Sequence, residues 1–290
     1  MPSFPVDWVD AFADRPFAGN GCAVVHGGAA LDDETAMRFV RETSLVECTF
    51  TGPSEVADLR VRYFLASREI PFAGHPTIAT AAALALRGQA ETGALTFETG
   101  AGIVPVRFTA EGVQMRQAKP SFGDCPPVDL VAAACGLEVS DIIHAPQIVS
   151  TGLPFCITVV KDKQTLRRAR LDVDALAAFC AASGYAGTDM MEPFLVTLDG
   201  ATEQGDTFAR LLLAPPSPPE DPFTGSATGA MAAYLWHTGL MQKPRFVAEQ
   251  GHDIGRPGRA VVERVGSAYE PDGVLVTGAA YRVMSGELHL

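Results

Sequence analysis

Glu47 interrupts an apolar and hydroxyl-bearing run, Ser44-Leu45-Val46-Glu47-Cys48-Thr49-Phe50, at the mouth of a strand pattern. If that carboxyl is buried, its pKa rises toward neutrality, which is what a general acid/base needs. If it points outward, it is an ordinary strand carboxylate. His75 falls in the turn Gly74-His75-Pro76-Thr77. There an imidazole can donate to an anion, relay a proton, or simply cap a helix. Asp221 precedes Pro222, which holds it extended and aims it away from the following helix, with a plain helix-dipole partner or turn former as the other reading. Gly225 and Ser226 offer backbone N–H groups and a hydroxyl to an oxyanion or carboxylate, with plain helix capping as the other reading. A Ser226-His75-Asp221 hydrolase is disfavoured, because the strained G-x-S-x-G elbow is missing.

The elements around these residues repeat. Gly74-His75-Pro76-Thr77 follows the strand-like run Val61 to Leu65 and leads into Ile78 to Leu86, an alanine-rich pattern for a buried helix. Thr224-Gly225-Ser226-Ala227 follows Phe208 to Ala214 and leads into Thr228 to Leu235. Thr77 and Thr224 stand 147 positions apart in a chain of 290 residues. A helix start exposes unpaired N–H groups and the positive end of the macrodipole, so two such turns predict paired seats for one carboxylate. A short echo, Pro16-Phe17-Ala18-Gly19-Asn20 against Pro71-Phe72-Ala73-Gly74-His75, supports the same repeat.

The composition is that of a globular protein, 47% hydrophobic and 19% charged. The net charge of −12 is spread along the chain, which argues against nucleic acid or an anionic membrane surface as partner and leaves a small anionic substrate open. No segment is long and apolar enough to span a bilayer, and the N-terminus lacks a signal-like pattern. The six cysteines form no CxxC pair and no grouping with histidine, so no metal site is expected and the reducing cytoplasm is the expected location. No GxGxxG or GxxxxGK supports a nucleotide cofactor. Helices between antiparallel-looking strands, in both halves, predict an α+β chain. Lys119 to Pro127, rich in proline, reads as an extended connector. The expected division is 1–118, a linker 119–127, and 128–290, with the tail from about residue 273 left open to cross back onto the first half.

Taken in order, Asp10-Ala11-Phe12 with Pro16 to Asn20, Leu45 to Phe50, Arg62-Tyr63-Phe64, Glu69 to Thr77, Ser150 to Pro154, Glu220 to Ala227, and Gln250 with Gly255-Arg256-Pro257 resemble the PhzF family. That family shares the diaminopimelate epimerase fold. The resemblance implies two pseudo-symmetric domains, each a mixed barrel-like sheet around a central helix, with the site in the cleft between them. It implies a homodimer and no metal or organic cofactor. The family's acid/base glutamate falls on Glu47, and its ligand contacts on Gly74, His75, Asp221, Gly225 and Ser226. Asn20 and Cys48 are additional cleft candidates, with Cys48 better placed as a buried spacer, since adjacent strand residues point oppositely. The related racemases use a cysteine at each helix start, and neither turn here carries one. Val46, Cys48, Leu65-Ala66 and Gly21-Cys22 depart from the common pattern, which puts the phenazine precursor in doubt as substrate.

The leading reading is a cofactor-independent isomerase that moves a proton between carbons of a small cyclic or unsaturated carboxylate through Glu47. A carboxylate-binding protein without chemistry, and an epimerase or lyase on the same fold, are the alternatives.

Overall fold

A computed structural model of the chain describes residues 2–90, 93–184, 191–215, 217–267 and 269–290. The chain divides into two units. Unit 1 comprises residues 1–116, 258–260 and 276–290, and unit 2 comprises 117–257 and 261–275.

In unit 1, β1 (Ser3–Ala11) and β2 (Asn20–Val25) are antiparallel, and β2 runs parallel to β3 (Cys48–Gly52). β4 (Leu59–Phe64) pairs antiparallel with β3 and with β5 (Glu69–Ile70), and parallel with β6 (Ala94–Thr99). β7 (Gly102–Thr109) and β8 (Gly112–Gln117) extend this mixed sheet, and β18 (Ala280–His289) lies antiparallel to β1. α1 (Asp33–Thr43) is a surface helix whose start is capped by Asp32, accepting from Thr35 N. α2 (Gly74–Leu86) is the opposite case. Every residue from Gly74 to Leu84 is buried. A helix apolar on all faces has to be surrounded, and α2 packs against β1, β2, β3 and β18.

Unit 2 repeats this plan. β9 (Ser121–Phe122) pairs with β10 (Gln147–Ser150), so residues 119–127, read above as a connector, carry a short strand. β10 is antiparallel to β11 (Pro154–Val159), and β11 is parallel to β12 (Pro193–Thr197). β13 (Thr207–Leu212) is antiparallel to β12 and β14 (Glu220–Asp221), and parallel to β15 (Arg245–Gln250). This is the same succession of antiparallel and parallel pairings as β1 to β6. Helices α3 (Val128–Ala134), α4 (Lys163–Arg168) and α5 (Val173–Ala182) lie before the counterpart of α2, which is α6 (Gly225–His237), buried from Gly225 to Trp236. α6 packs against β10 and β11. β16 (Gly258–Gly266) and β17 (Pro271–Gly278) each have residues in both units. No helix among the described residues is long and apolar enough to cross a membrane.

The register fixes which residues correspond. Tyr63 lies opposite Ile70, and Leu211 opposite Asp221. Arg62 and Arg210 are therefore counterparts, and so are Glu69 and Glu220. Arg62 Nε and Nη2 donate to Glu69 at 2.9 and 2.6 Å, and its Nη1 donates to the carbonyls of Ala29 and Leu31. Arg210 Nε and Nη2 donate to Glu220 at 3.1 and 2.6 Å, and its Nη1 donates to Leu166 O and Arg167 O. Planar two-pronged pairing of this kind fixes orientation as well as charge, and each copy ties a sheet to a neighbouring segment, residues 29–31 in one unit and the end of α4 in the other. The repeat also revises the threonine pairing. Thr77 Oγ1 donates to Ala73 O at 2.6 Å, and Thr228 Oγ1 to Thr224 O at 2.9 Å. The equivalent threonines are Thr77 and Thr228, 151 positions apart, because the loop after β13 is longer than the loop after β4.

Candidate active site

The first cluster lies in unit 1, where three elements converge on His75. His75 occupies the second position of α2 and is 3% exposed. Its Nδ1 lies 3.5 Å from Glu47 Oε2 and 3.1 Å from Asn20 Nδ2. Glu47 immediately precedes β3, and its side chain is 16% exposed, mostly buried but still reachable by solvent or a ligand. Asn20 opens β2. Beneath them, Tyr63 OH and Thr77 Oγ1 are 2.8 Å apart and Thr49 Oγ1 and Thr80 Oγ1 2.9 Å apart, which ties α2 to the strands it crosses. Gly74 lies at the helix start, where no side chain caps the backbone; the N-cap residue is Ala73. By contrast α1, α4 and α5 are each capped by an aspartate, Asp32, Asp162 and Asp172. An uncapped helix start beside a histidine suits an anion.

Cys48 is placed elsewhere. It is fully buried in the apolar cluster of Ala23, Val25, Ala36, Val40, Phe50 and Phe64. Its Sγ is 3.6 Å from Thr43 Oγ1, and burial pushes the thiol up to about 12. This corrects its standing as a cleft candidate: strand alternation turns Cys48 into the core, away from the side that Glu47 uses.

The second cluster lies in unit 2 at the start of α6. Asp221 is extended in β14 as the following proline demands, yet its carboxylate is turned toward the helix, not away from it. Asp221 Oδ2 accepts from Thr224 Oγ1 at 2.5 Å. Gln250 closes the turn: its Oε1 accepts from Thr224 N at 3.0 Å, and its Nε2 donates to Asp221 O at 2.8 Å. Thr224 is the N-cap residue, but its side chain makes no cap hydrogen bond. Gly225 and Ser226 follow, both buried, Ser226 at 7% exposure. Gln117 Nε2 donates to Gly225 O at 2.8 Å, while its Oε1 accepts from Thr151 Oγ1 at 2.6 Å.

Thr224 stands in the turn expected to seat a carboxylate, and Thr151 and Gln250 stand in the stretches that resemble the family without a role attached; Gln117 lies in no motif of the sequence. Glu192 is a more consequential omission. Thr49 lies opposite Tyr63 and Phe194 opposite Leu211, so Glu192, just before β12, is the counterpart of Glu47, just before β3. Glu192 Oε1 accepts from Ala214 N at 2.9 Å, and burial raises its pKa. A carboxyl with a raised folded pKa supports stability fully below its unfolded pKa, and that support is lost as pH rises through the folded value. Glu192→Gln keeps the acceptor for Ala214 N and removes the buried charge. The expected result is a higher melting temperature than wild type at pH 7 to 8, with the gain shrinking toward zero near about pH 4. An equal shift at both pH values, measured by calorimetry, would contradict this.

No group of three or more histidine, cysteine, aspartate or glutamate side chains able to hold a metal ion occurs among the described residues.

Comparison with known proteins defines first the architecture and then the family. A probable proline racemase from Agrobacterium radiobacter superimposes with a TM-score of 0.69 over 99% of this chain and 93% of its own, at 14% identity, so the two share the racemase and epimerase fold. The family model for phenazine biosynthesis-like proteins, PhzC-PhzF, matches residues 9–286, and the chain belongs to that family. The crystal structure of a PhzF family phenazine biosynthesis protein from Bacillus anthracis aligns with a TM-score of 0.88 over 100% of both chains, at 28% identity. An uncharacterized isomerase of Clostridium acetobutylicum is 32% identical over 97% of each chain. The trans-2,3-dihydro-3-hydroxyanthranilate isomerase of Pseudomonas aeruginosa is 29% identical over 97% of this chain and 98% of its own.

Proposed function

We propose that this chain is an isomerase that moves a proton between carbons of a small cyclic or unsaturated carboxylate, with Glu47 as the acid/base. The observation that carries the reading is the Glu47–His75 contact at the uncapped start of α2: a mostly buried carboxyl 3.5 Å from an imidazole nitrogen. Abstracting a proton from carbon leaves negative charge on the substrate, and Gly74 N–H, the α2 dipole and His75 are the groups suited to stabilise it. Gly225, Ser226 and Asp221 are proposed as further ligand contacts. The carboxyl then returns its proton to a second carbon, so no proton is gained or lost overall and no redox step is required.

The curated relatives named as isomerases support the class of reaction. trans-2,3-Dihydro-3-hydroxyanthranilate is the first compound to assay, although Val46 and Cys48 beside the glutamate differ from the residues usual in the family. The test is turnover in deuterated water, followed by NMR of the product. Deuterium at a carbon that exchanged its proton supports the reading. Tight binding of cyclic unsaturated carboxylates without any exchange would overturn it in favour of a binding role. A homodimer is proposed by family resemblance. The six free cysteines, five of them buried, support a reducing compartment, and a cytoplasmic location is inferred with it.

A further inference from the structure

Asn20, His75 and Glu47 meet at a single atom, His75 Nδ1, and the chemistry of the amide limits where the proton can be. The Asn20 Nδ2 group has hydrogens to donate and no lone pair to offer. With the amide oriented so that Nδ2 faces the ring at 3.1 Å, His75 Nδ1 takes the acceptor role. A ring that accepts at Nδ1 is neutral and carries its hydrogen on Nε2. Glu47 Oε2 stands 3.5 Å from that same Nδ1, so the ring has no hydrogen to give it.

We propose that Asn20 is a positioning residue that holds His75 as the neutral Nε2–H tautomer and so leaves Glu47 as the group that stores the transferable proton. The inference rests on the reading of Glu47 as acid/base and extends it by saying why the neighbouring imidazole does not compete for the proton. A neutral ring keeps its hydrogen on Nε2, an atom buried within the fold. An imidazolium at the same place would be a second acid, able to protonate an intermediate at the wrong atom.

The chain around Asn20 is built to hold the amide still. Asn20 is 2% exposed and pairs with Ala11 at the first position of β2. Gly19 before it has φ +55°, and a Cβ there would lie 2.1 Å from Ala11 O, so only glycine lets the strand start this close to β1. Asp10 Oδ2 accepts from Phe17 N at 2.7 Å and pins the preceding turn, in which Phe17 has φ +64°. A non-glycine residue in the left-handed region persists only where its surroundings over-determine it.

The experiment is 15N and 13C NMR of imidazole-labelled full-length protein without ligand at neutral pH, with the His75 signals identified from His75→Gln. Wild type is expected to show the Nε2–H pattern. Asn20→Asp puts an acceptor-only carboxylate in the same volume, and His75 should then shift to the Nδ1–H or imidazolium pattern. Asn20→Ser, whose hydroxyl can donate, should restore part of the Nε2–H population. An Nδ1–H or imidazolium pattern in wild type, or an unchanged pattern in Asn20→Asp, overturns the proposal. Wild type alone decides if the variants unfold. The tautomer is read without substrate, whereas the role of Glu47 is read from solvent exchange during turnover, so the two can fail separately.

Discussion

Replacing Glu47 by glutamine is expected to remove proton transfer while leaving the fold and the ligand affinity close to wild type. Glutamine matches the volume of glutamate, and its amide can still meet His75, but it cannot take up and release a proton near neutral pH. A positioned acid/base contributes roughly 10²–10⁴-fold to rate. Loss of the proposed acid/base should therefore lower turnover by at least about 10²-fold, equivalent to about 3 kcal/mol at 1.36 kcal/mol per tenfold. The measurement is the rate of product formation and of deuterium incorporation for Glu47→Gln beside wild type, with ligand binding followed by calorimetry. A fall in turnover with unchanged binding assigns Glu47 to the chemical step. Glu47→Asp separates presence from placement, because it keeps the carboxyl but draws it back by one methylene. Misplacement by about 1 Å costs on the order of 10²-fold where the geometry is tight. Undiminished exchange in Glu47→Gln would move the acid/base role to another group.

The parts of this architecture that the sequence displays are those written in local patterns. The alanine-rich runs after Gly74 and Gly225 announce buried helices, and α2 and α6 are buried through their first eleven or twelve residues. A helix cap at Asp32 or Asp33 is also readable, because a cap acts within one turn, and the structure uses Asp32. The two-residue strands β5 and β14 are not readable, since alternation needs several residues to show. Their partners Arg62–Glu69 and Arg210–Glu220 are visible as charges, but the unequal loops between them hide the correspondence. That inequality also explains why Thr77 and Thr224 looked like a matched pair. Glu192 escapes for a different reason. Around Glu47 the chain reads Val46-Glu47-Cys48-Thr49, and around Glu192 it reads Met191-Glu192-Pro193-Phe194, so only the strand register reveals the equivalence. The Asn20–His75 contact joins residues 55 positions apart, a distance that only the packing of β2 on α2 closes. Asp221 turned toward Thr224 because hydrogen bonding of the carboxylate outweighs what the backbone direction imposed by Pro222 alone would suggest.

Gly229→Ala is expected to destabilise the second unit despite the helix preference of alanine. Gly229 lies one turn into α6, and a Cβ added there would come within 1.8 Å of Gln117 Oε1 and 2.5 Å of its Cδ. A long side chain normally swings away from such a contact at little cost. Gln117 cannot do so freely: it is 3% exposed, its Nε2 holds Gly225 O, and its Oε1 holds Thr151 Oγ1. Moving it breaks two buried hydrogen bonds, each about 1 kcal/mol or more when a partner is left unsatisfied. Overpacking adds about 1–3 kcal/mol. The helix propensity gain from glycine to alanine returns only about 1 kcal/mol, so the net expectation is a loss of about 2–4 kcal/mol in chemical denaturation. Removing the obstacle tests the cause. In Gln117→Ala the methyl at position 229 meets open space, so Gly229→Ala should cost far less on that background, and the double-mutant cycle should show strong coupling. Because Gln117 holds the carbonyl of Gly225, the single variant should also loosen the first turn of α6, seen as faster amide exchange at Gly225 and Ser226. Additive losses with unchanged exchange would mean that the glycine answers to helix packing alone and that Gln117 does not hold the turn.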